Sequence, residues 1–215
     1  MKLLKNNWLW VFLWAAFIMW MPSGELAPPP IPTDFQTVKK GANYATPRQI
    51  KPRVAPDSVG WIIRFMPNCN YILNNVDGTV SVDQQDWNKT CGLMFHHFDP
   101  HVNTAMLGWR HNIEARKIEV NFYHHISKKR SYTPPLTAFD FSEPFEYRIV
   151  PRYSDGTITE TLWTLDGKLI KCIQFDFPDL KAKWRVQTQE INFYFGGNQK
   201  APQDVTVYKR LIKYY

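Results

Sequence analysis

Six histidines fall between positions 96 and 125: His96, His97, His101, His111, His124 and His125. Imidazole titrates near neutral pH, so such a cluster could move protons, orient a sugar or ligate a metal. Three strand-like runs carry it, at 92–98, 104–110 and 117–126. As an antiparallel meander they bring His97, Asn103 and His124 to one edge and leave His111 at the opposite end. Aligning the apolar set Leu93, Phe95, Ala105, Leu107, Trp109, Ile118, Val120 and Phe122 puts His97, Asn103 and His124 on that set's face, with His96 and His125 on the other. The expectation is a polar rim on an apolar face. Outer strands of three lie ~9–10 Å apart. A metal held by His97 and His124 would therefore need convergent side chains or a loop ligand such as Asp99 or His101, and no metal site is expected.

Other side chains widen the chemistry. Eliminative cleavage of a uronate polymer needs a cation to neutralise the carboxylate and a His or Tyr base, types that Arg110, His97, His124, Tyr123 and Tyr194 supply. Indole suits the apolar face of a pyranose ring. Trp109 follows the core parity, whereas Trp87 and Trp184 sit in polar, loop-like surroundings and are the expected stacking platforms. Asp83, Asp86 and Asn88 form an oxygen-rich loop near Trp87 that could take calcium or sugar hydroxyls. No other cofactor is expected.

The elements that must position these residues are strands. The chain has 215 residues with 44% hydrophobic and 15% aromatic content, enough for one packed domain plus an appendage. A charged fraction of 21% excludes a disordered or coiled-coil protein, and 16 prolines with abundant aromatics exclude an all-helical one. Eleven runs read as strands: 61–66, 71–73, 79–82, 92–98, 104–110, 117–126, 145–153, 157–164, 168–177, 191–195 and 205–214. Asp-Gly pairs at Asp77, Asp155 and Asp166 mark hairpins, and 178–183 reads as a short helical turn. The fold class is all-β, a two-sheet antiparallel sandwich.

The net charge of +7 is scattered. Its densest run, Lys128 to Arg130, reads as a loop, so nucleic acid is not an expected partner. Lys2 and Lys5 precede the uncharged run 8–21, a positive n-region followed by an apolar h-region. Fourteen helical residues span ~21 Å against a hydrocarbon core of ~30 Å. Residues 1–24 are thus expected to be a signal peptide or signal anchor, which places the rest outside the cytoplasm. The Pro-rich stretch 25–58 reads as an extended linker, and 59–215 as the sandwich domain. The three cysteines allow one Cys69–Cys91 disulfide or three free thiols.

The segment 145–177, FEYRIVPRYSDGTITETLWTLDGKLIKCIQFDF, resembles the concanavalin A-like (laminin G-like) lectin and glucanase superfamily, in which neighbouring hairpins carry an aromatic, a turn and a DGK corner. The closing segment 193–211, FYFGGNQKAPQDVTVYKRL, is similar to the end of such domains. The resemblance implies a jelly roll with a concave sheet, a frame that serves lectins, glycosidases, polysaccharide lyases and structural domains alike. The glucanase carboxylate pattern E-x-D-x-E, which would set two carboxyls ~5.5 Å apart, does not occur. Glu143 and Glu146 flank Pro144 at the wrong spacing, and Glu114 and Glu119 flank a turn. The expected function is a noncatalytic, extracytoplasmic lectin-like module that binds a polysaccharide or glycoconjugate through Trp87, Trp184, His97, Asn103 and His124. The alternatives are a structural subunit of a cell envelope or virion, docked on a membrane or neighbouring subunits through residues 1–58, and a uronate-polysaccharide lyase.

Overall fold

Period-two alternation of large apolar residues dictates two sheets that each offer a face to the other. A computed structural model of the chain describes residues 34–46, 52–54, 57–95, 99–181 and 187–213. Its strands are β1 (Phe35–Val38), β2 (Ala45–Thr46), β3 (Pro52–Val54), β4 (Val59–Phe65), β5 (Asn88–Phe95), β6 (Thr104–Asn112), β7 (Lys117–Ile126), β8 (Lys129–Tyr132), β9 (Thr137–Phe139), β10 (Pro144–Arg152), β11 (Thr157–Thr164), β12 (Leu169–Asp176), β13 (Gln187–Glu190) and β14 (Val205–Lys213). One sheet has the order β12-β11-β10-β4-β14-β1-β2. The other runs β3-β13-β5-β6-β7-β8, with β9 also paired to β7. The expected all-β, two-sheet antiparallel architecture is what forms.

Trp61, Ile63 and Phe65 of β4, Phe145, Tyr147 and Ile149 of β10, Leu107 and Trp109 of β6, and Val120 and Phe122 of β7 are all buried in one core between the sheets. Phe139 and Phe145 stack with ring centres 4.0 Å apart, and Trp61 stacks on Tyr147 at 5.7 Å. The Asp155-Gly156 and Asp166-Gly167 turns join β10 to β11 and β11 to β12 as expected. Asp77-Gly78 closes only a single bridge, between Asn74 and Val80. Runs 71–73 and 79–82 therefore contribute no strand, and the short β8 and β9, unforeseen in the sequence, pair along β7 instead.

The larger correction concerns the expected linker 25–58. β1 pairs with β14 and with β2, while β3 pairs with β13, so the folded unit begins at Asp34 rather than residue 59. A four-residue strand among prolines shows no periodicity of its own, because its register is imposed by β14. The expected leader, residues 1–24, lies outside the described residues. Cys69, Cys91 and Cys172 are free thiols; the first two are buried and the third is exposed.

Gly92 holds the centre of β5. A Cβ built there would lie 2.2 Å from the Ala105 carbonyl oxygen, and its φ is +156°. Backbone cannot move aside as a side chain can. Gly92→Ala is expected to cost about 2–3 kcal/mol of stability, measured by urea unfolding; a loss under about 0.5 kcal/mol would show that β5 shifts without strain.

Candidate functional site

The face of the second sheet that points away from the core is not a solvated polar surface. Met94, Met106, Tyr123, Trp87 and Ile191 form a separate buried apolar cluster there, the floor of a groove of about 870 Å³. Strand register orders it in rows ~7 Å apart. His125 pairs with Thr104 and Arg130, and Tyr123 with Met106 and Tyr132. Gly108 pairs with Lys89 and Asn121, and Arg110 with Glu119. Tyr132, half exposed, forms one side with Pro134 and Pro135. Tyr44 and Tyr194, with ring centres 4.8 Å apart, form the other.

Tyr194 reaches this place because its backbone bridges to both Lys89 and Tyr44. The two glycines that follow it let the loop press against the floor. At Gly196 a Cβ would lie 2.7 Å from the Trp87 carbonyl, and at Gly197 it would lie 2.7 Å from Asp86 Oδ2. Asn88 locks the junction, donating to Tyr71 Oη at 2.8 Å and accepting from Gly196 N at 2.6 Å. The closing segment therefore builds one side of the groove.

Two positive charges approach the floor. The Lys89 ammonium lies 4.2 Å from the Tyr123 ring centre and donates to the Trp87 carbonyl at 2.7 Å. Burial pushes its pKa down to about 8. Arg130 is exposed one row beyond Tyr123 and interacts with the phenol, whose own pKa is raised chiefly by burial. His125 is pushed down to about 4, by burial first and by His101 second, and is a neutral imidazole at pH 7. Its Nδ1 shares a 3.2 Å hydrogen bond with Thr104 Oγ1, and its ring lies 5.5 Å from that of Tyr123. Toward Arg110, Asp83, Gln85, Asp86 and Asn198 line the groove, and the Asp86 charge acts on Lys89 and Tyr123 as well.

Of the residues singled out from sequence, Arg110, Tyr123, Tyr194 and Trp87 line the groove, but not all as expected. Trp87 is only 8% exposed, and the Arg110 guanidinium caps its ring at 4.4 Å. It is floor rather than open platform, and the exposed aromatic faces belong to Tyr44 and Tyr132. Arg110 is itself committed to Glu119 at 2.8 Å and to the Gln85 carbonyl at 3.0 Å. Asn88 points inward, so the oxygens of Asp83, Asp86 and Asn88 do not converge as a calcium loop would require. Among the described residues no group of three His, Cys, Asp or Glu side chains is arranged to hold a metal.

His124 and Asn103 correct the expected rim. They share a parity as expected, but the face they share is the inner one. His124 is completely buried between the sheets, with Nε2 paired to Glu160, which also accepts from Tyr147 Oη. Asn103 donates to Asp179 at 2.9 Å and accepts from Ser127 N, pinning a loop. A second sheet covers whichever face is apolar, so the open groove falls to the residues of opposite parity, His125 among them. His97 and Trp184 lie outside the described residues. Sequence reasoning passed over Lys89 and read Arg130 as part of a loop; the register that sets Arg130 opposite His125 belongs to β8, which no local signal announces.

The chain has the concanavalin A-like (laminin G-like) sandwich fold. An alginate lyase from Klebsiella pneumoniae superposes with a TM-score of 0.53 at 14% identity, covering 73% of this chain and 59% of that one. The chain thus spans less than two thirds of that enzyme. A GH16 protein from Bacteroides ovatus (TM-score 0.47, 9% identity, 83% and 79% coverage) and a pentraxin from Limulus polyphemus (TM-score 0.39, 9% identity, 83% and 76% coverage) are also similar. No family model matches the chain, and no curated protein matches it in sequence.

Proposed function

We propose that the groove binds an acidic polysaccharide. One observation carries this reading: Lys89 and Arg130 bring two positive charges to Tyr123 at the floor of a groove walled by tyrosines. Tyrosine walls stack on sugar rings at little entropic cost, and a half-desolvated ammonium interacts with a carboxylate or sulfate far more strongly than a surface lysine does. The fold's use by a protein named alginate lyase is in keeping with an acidic ligand. The leader-like residues 1–24 would place such a module outside the cytoplasm. In native gels containing single polysaccharides, the full chain is expected to be retarded by acidic polymers and not by neutral ones. Retardation by neutral polymers alone, or by none, removes the reading.

One feature favours a second reading, eliminative cleavage. Neutral His125 beside Tyr123 would take the proton from the carbon next to a uronate carboxylate while Lys89 and Arg130 neutralise that carboxylate. The glycosidic C–O bond on the next carbon breaks as the C=C bond forms, and the leaving oxygen takes a proton from the Tyr123 phenol. In this reading His125 takes the place expected for His124, which is buried between the sheets. An assay for the ultraviolet absorbance of unsaturated uronate ends would show release by the native chain and none by His125→Ala; no release by the native chain leaves binding alone.

A further inference from the structure

The charges along the groove are not uniform, and their order restricts the ligand. Lys89 and Arg130 flank the Tyr123 row from either side, which makes one seat for one anionic group. Moving along β6 from Met106 toward Arg110 covers four residues, ~13 Å of strand. Over that distance the character of the groove reverses, beginning at Asp86, whose charge already acts on Lys89 and Tyr123. Arg110 is held by Glu119 and the Gln85 carbonyl, with its flat face on Trp87. The groove there is also lined by the carboxylates of Asp83 and Asp86 and the amides of Gln85 and Asn198. Gly197, at a φ of +84°, leaves room for the Asp86 carboxylate against the loop, where a side chain would displace it. Carboxylates and amides are the usual partners of sugar hydroxyls, and a second anion placed there would meet like charge.

We infer that the groove selects a glycan whose acidic sugars are separated by uncharged ones, the acid seated between Lys89 and Arg130 over Tyr123 and the neutral neighbour lying against Asp83 and Asp86. The inference rests on the acidic-polysaccharide reading and narrows it: a polymer charged at every residue is a poor ligand, and one charged at alternate residues a good one.

The test is a calorimetric titration of the full chain with three hexasaccharides of equal length: hyaluronan, charged at alternate residues; oligogalacturonate, charged at every residue; and cellohexaose, uncharged. Hyaluronan hexasaccharide is expected to bind at least tenfold more tightly than oligogalacturonate, and cellohexaose more weakly than either. The Asp83→Asn, Asp86→Asn double variant, which keeps the Lys89 seat, is expected to gain at least tenfold for oligogalacturonate and to close that gap. Oligogalacturonate binding the native chain as tightly as hyaluronan, or a double variant with an unchanged ratio, overturns the inference while leaving the acidic-polysaccharide reading in place. Cellohexaose binding as well as both acidic ligands, or no binding by any of the three, overturns that reading and the inference with it.

Discussion

Glu160→Ala is expected to lower the free energy of unfolding by about 3–5 kcal/mol, a large share of the ~5–15 kcal/mol available to a domain of this size. The carboxylate sits in the core with no exposure, as does His124. It accepts from His124 Nε2 through one oxygen and from Tyr147 Oη through the other. Burial and the Glu160 charge hold the Tyr147 phenol far above its usual range, so it remains a donor throughout the working pH range. Removing the carboxylate leaves two donors buried without an acceptor, each costing about 1–3 kcal/mol, and opens a cavity between β7 and β11. Packing alone predicts a different pattern. The triple change Glu160→Leu, His124→Phe, Tyr147→Phe, which removes every member at once, is expected to recover most of the loss, because an apolar replacement of a whole buried polar group is often neutral. Urea unfolding of both variants separates the accounts. A single variant within 1 kcal/mol of the native chain would mean that the pair contributes nothing net, and a triple variant as unstable as the single would assign the cost to volume rather than to unpaired polarity.

That buried group also shows how far the sequence could be read. Alternation in 104–110 and 117–126 is strong enough to give two faces, the pairing order and the edge that Asn103 and His124 share. It could not say which face the second sheet would cover. The apolar face is the one that must be covered, and His124, sharing parity with Phe122, goes with it. A rim of histidines on an apolar strand face is thus better read as a core polar group awaiting a partner across the sheets. That partner, Glu160, is 36 residues away on β11, and nothing local in the segment TITETLWT marks one glutamate as buried. The groove was obscured for a related reason. Met94, Met106 and Tyr123 make β5 to β7 almost continuously apolar, so the outer face gave no polar signal, although a sheet buried on both sides must have a floor on each. The strands at 35–38 and 45–46 were hidden by their brevity, since four residues cannot show a period and their register comes from β14. The DGK corner and the FGG segment were legible because turns demand particular residues, and the FGG glycines proved to build the groove as well as to end the domain.

Lys89→Met is expected to produce two opposite effects: affinity for acidic polysaccharide falls at least a hundredfold, while stability at pH 7 rises by about 2 kcal/mol. Both follow from one side chain held in a costly place. Burial lowers the Lys89 pKa from 10.5 to about 8. Between those values the unfolded chain binds more protons than the native one, so stability increases as pH rises through that window, and the whole penalty is carried below pH 8. Methionine fills similar space without charge and removes the penalty. The expected gain is set below the full shift because the site is open to solvent on one side and the hydrogen bond to the Trp87 carbonyl is lost. The same desolvation makes the ammonium an effective partner for an anion, and truncating such a partner typically costs 2–5 kcal/mol of binding. In the native chain, affinity should fall as pH rises through 8 and the ammonium deprotonates; in Lys89→Met that dependence should vanish. Thermal denaturation from pH 6 to 10, paired with titrations of an acidic hexasaccharide over the same range, tests both halves. A variant that binds normally would remove Lys89 from the anion seat. A variant less stable at pH 7 would mean that the ammonium is better solvated in the folded chain than its place between Tyr123 and Tyr194 implies, so that the site carries no stored cost for a ligand to relieve.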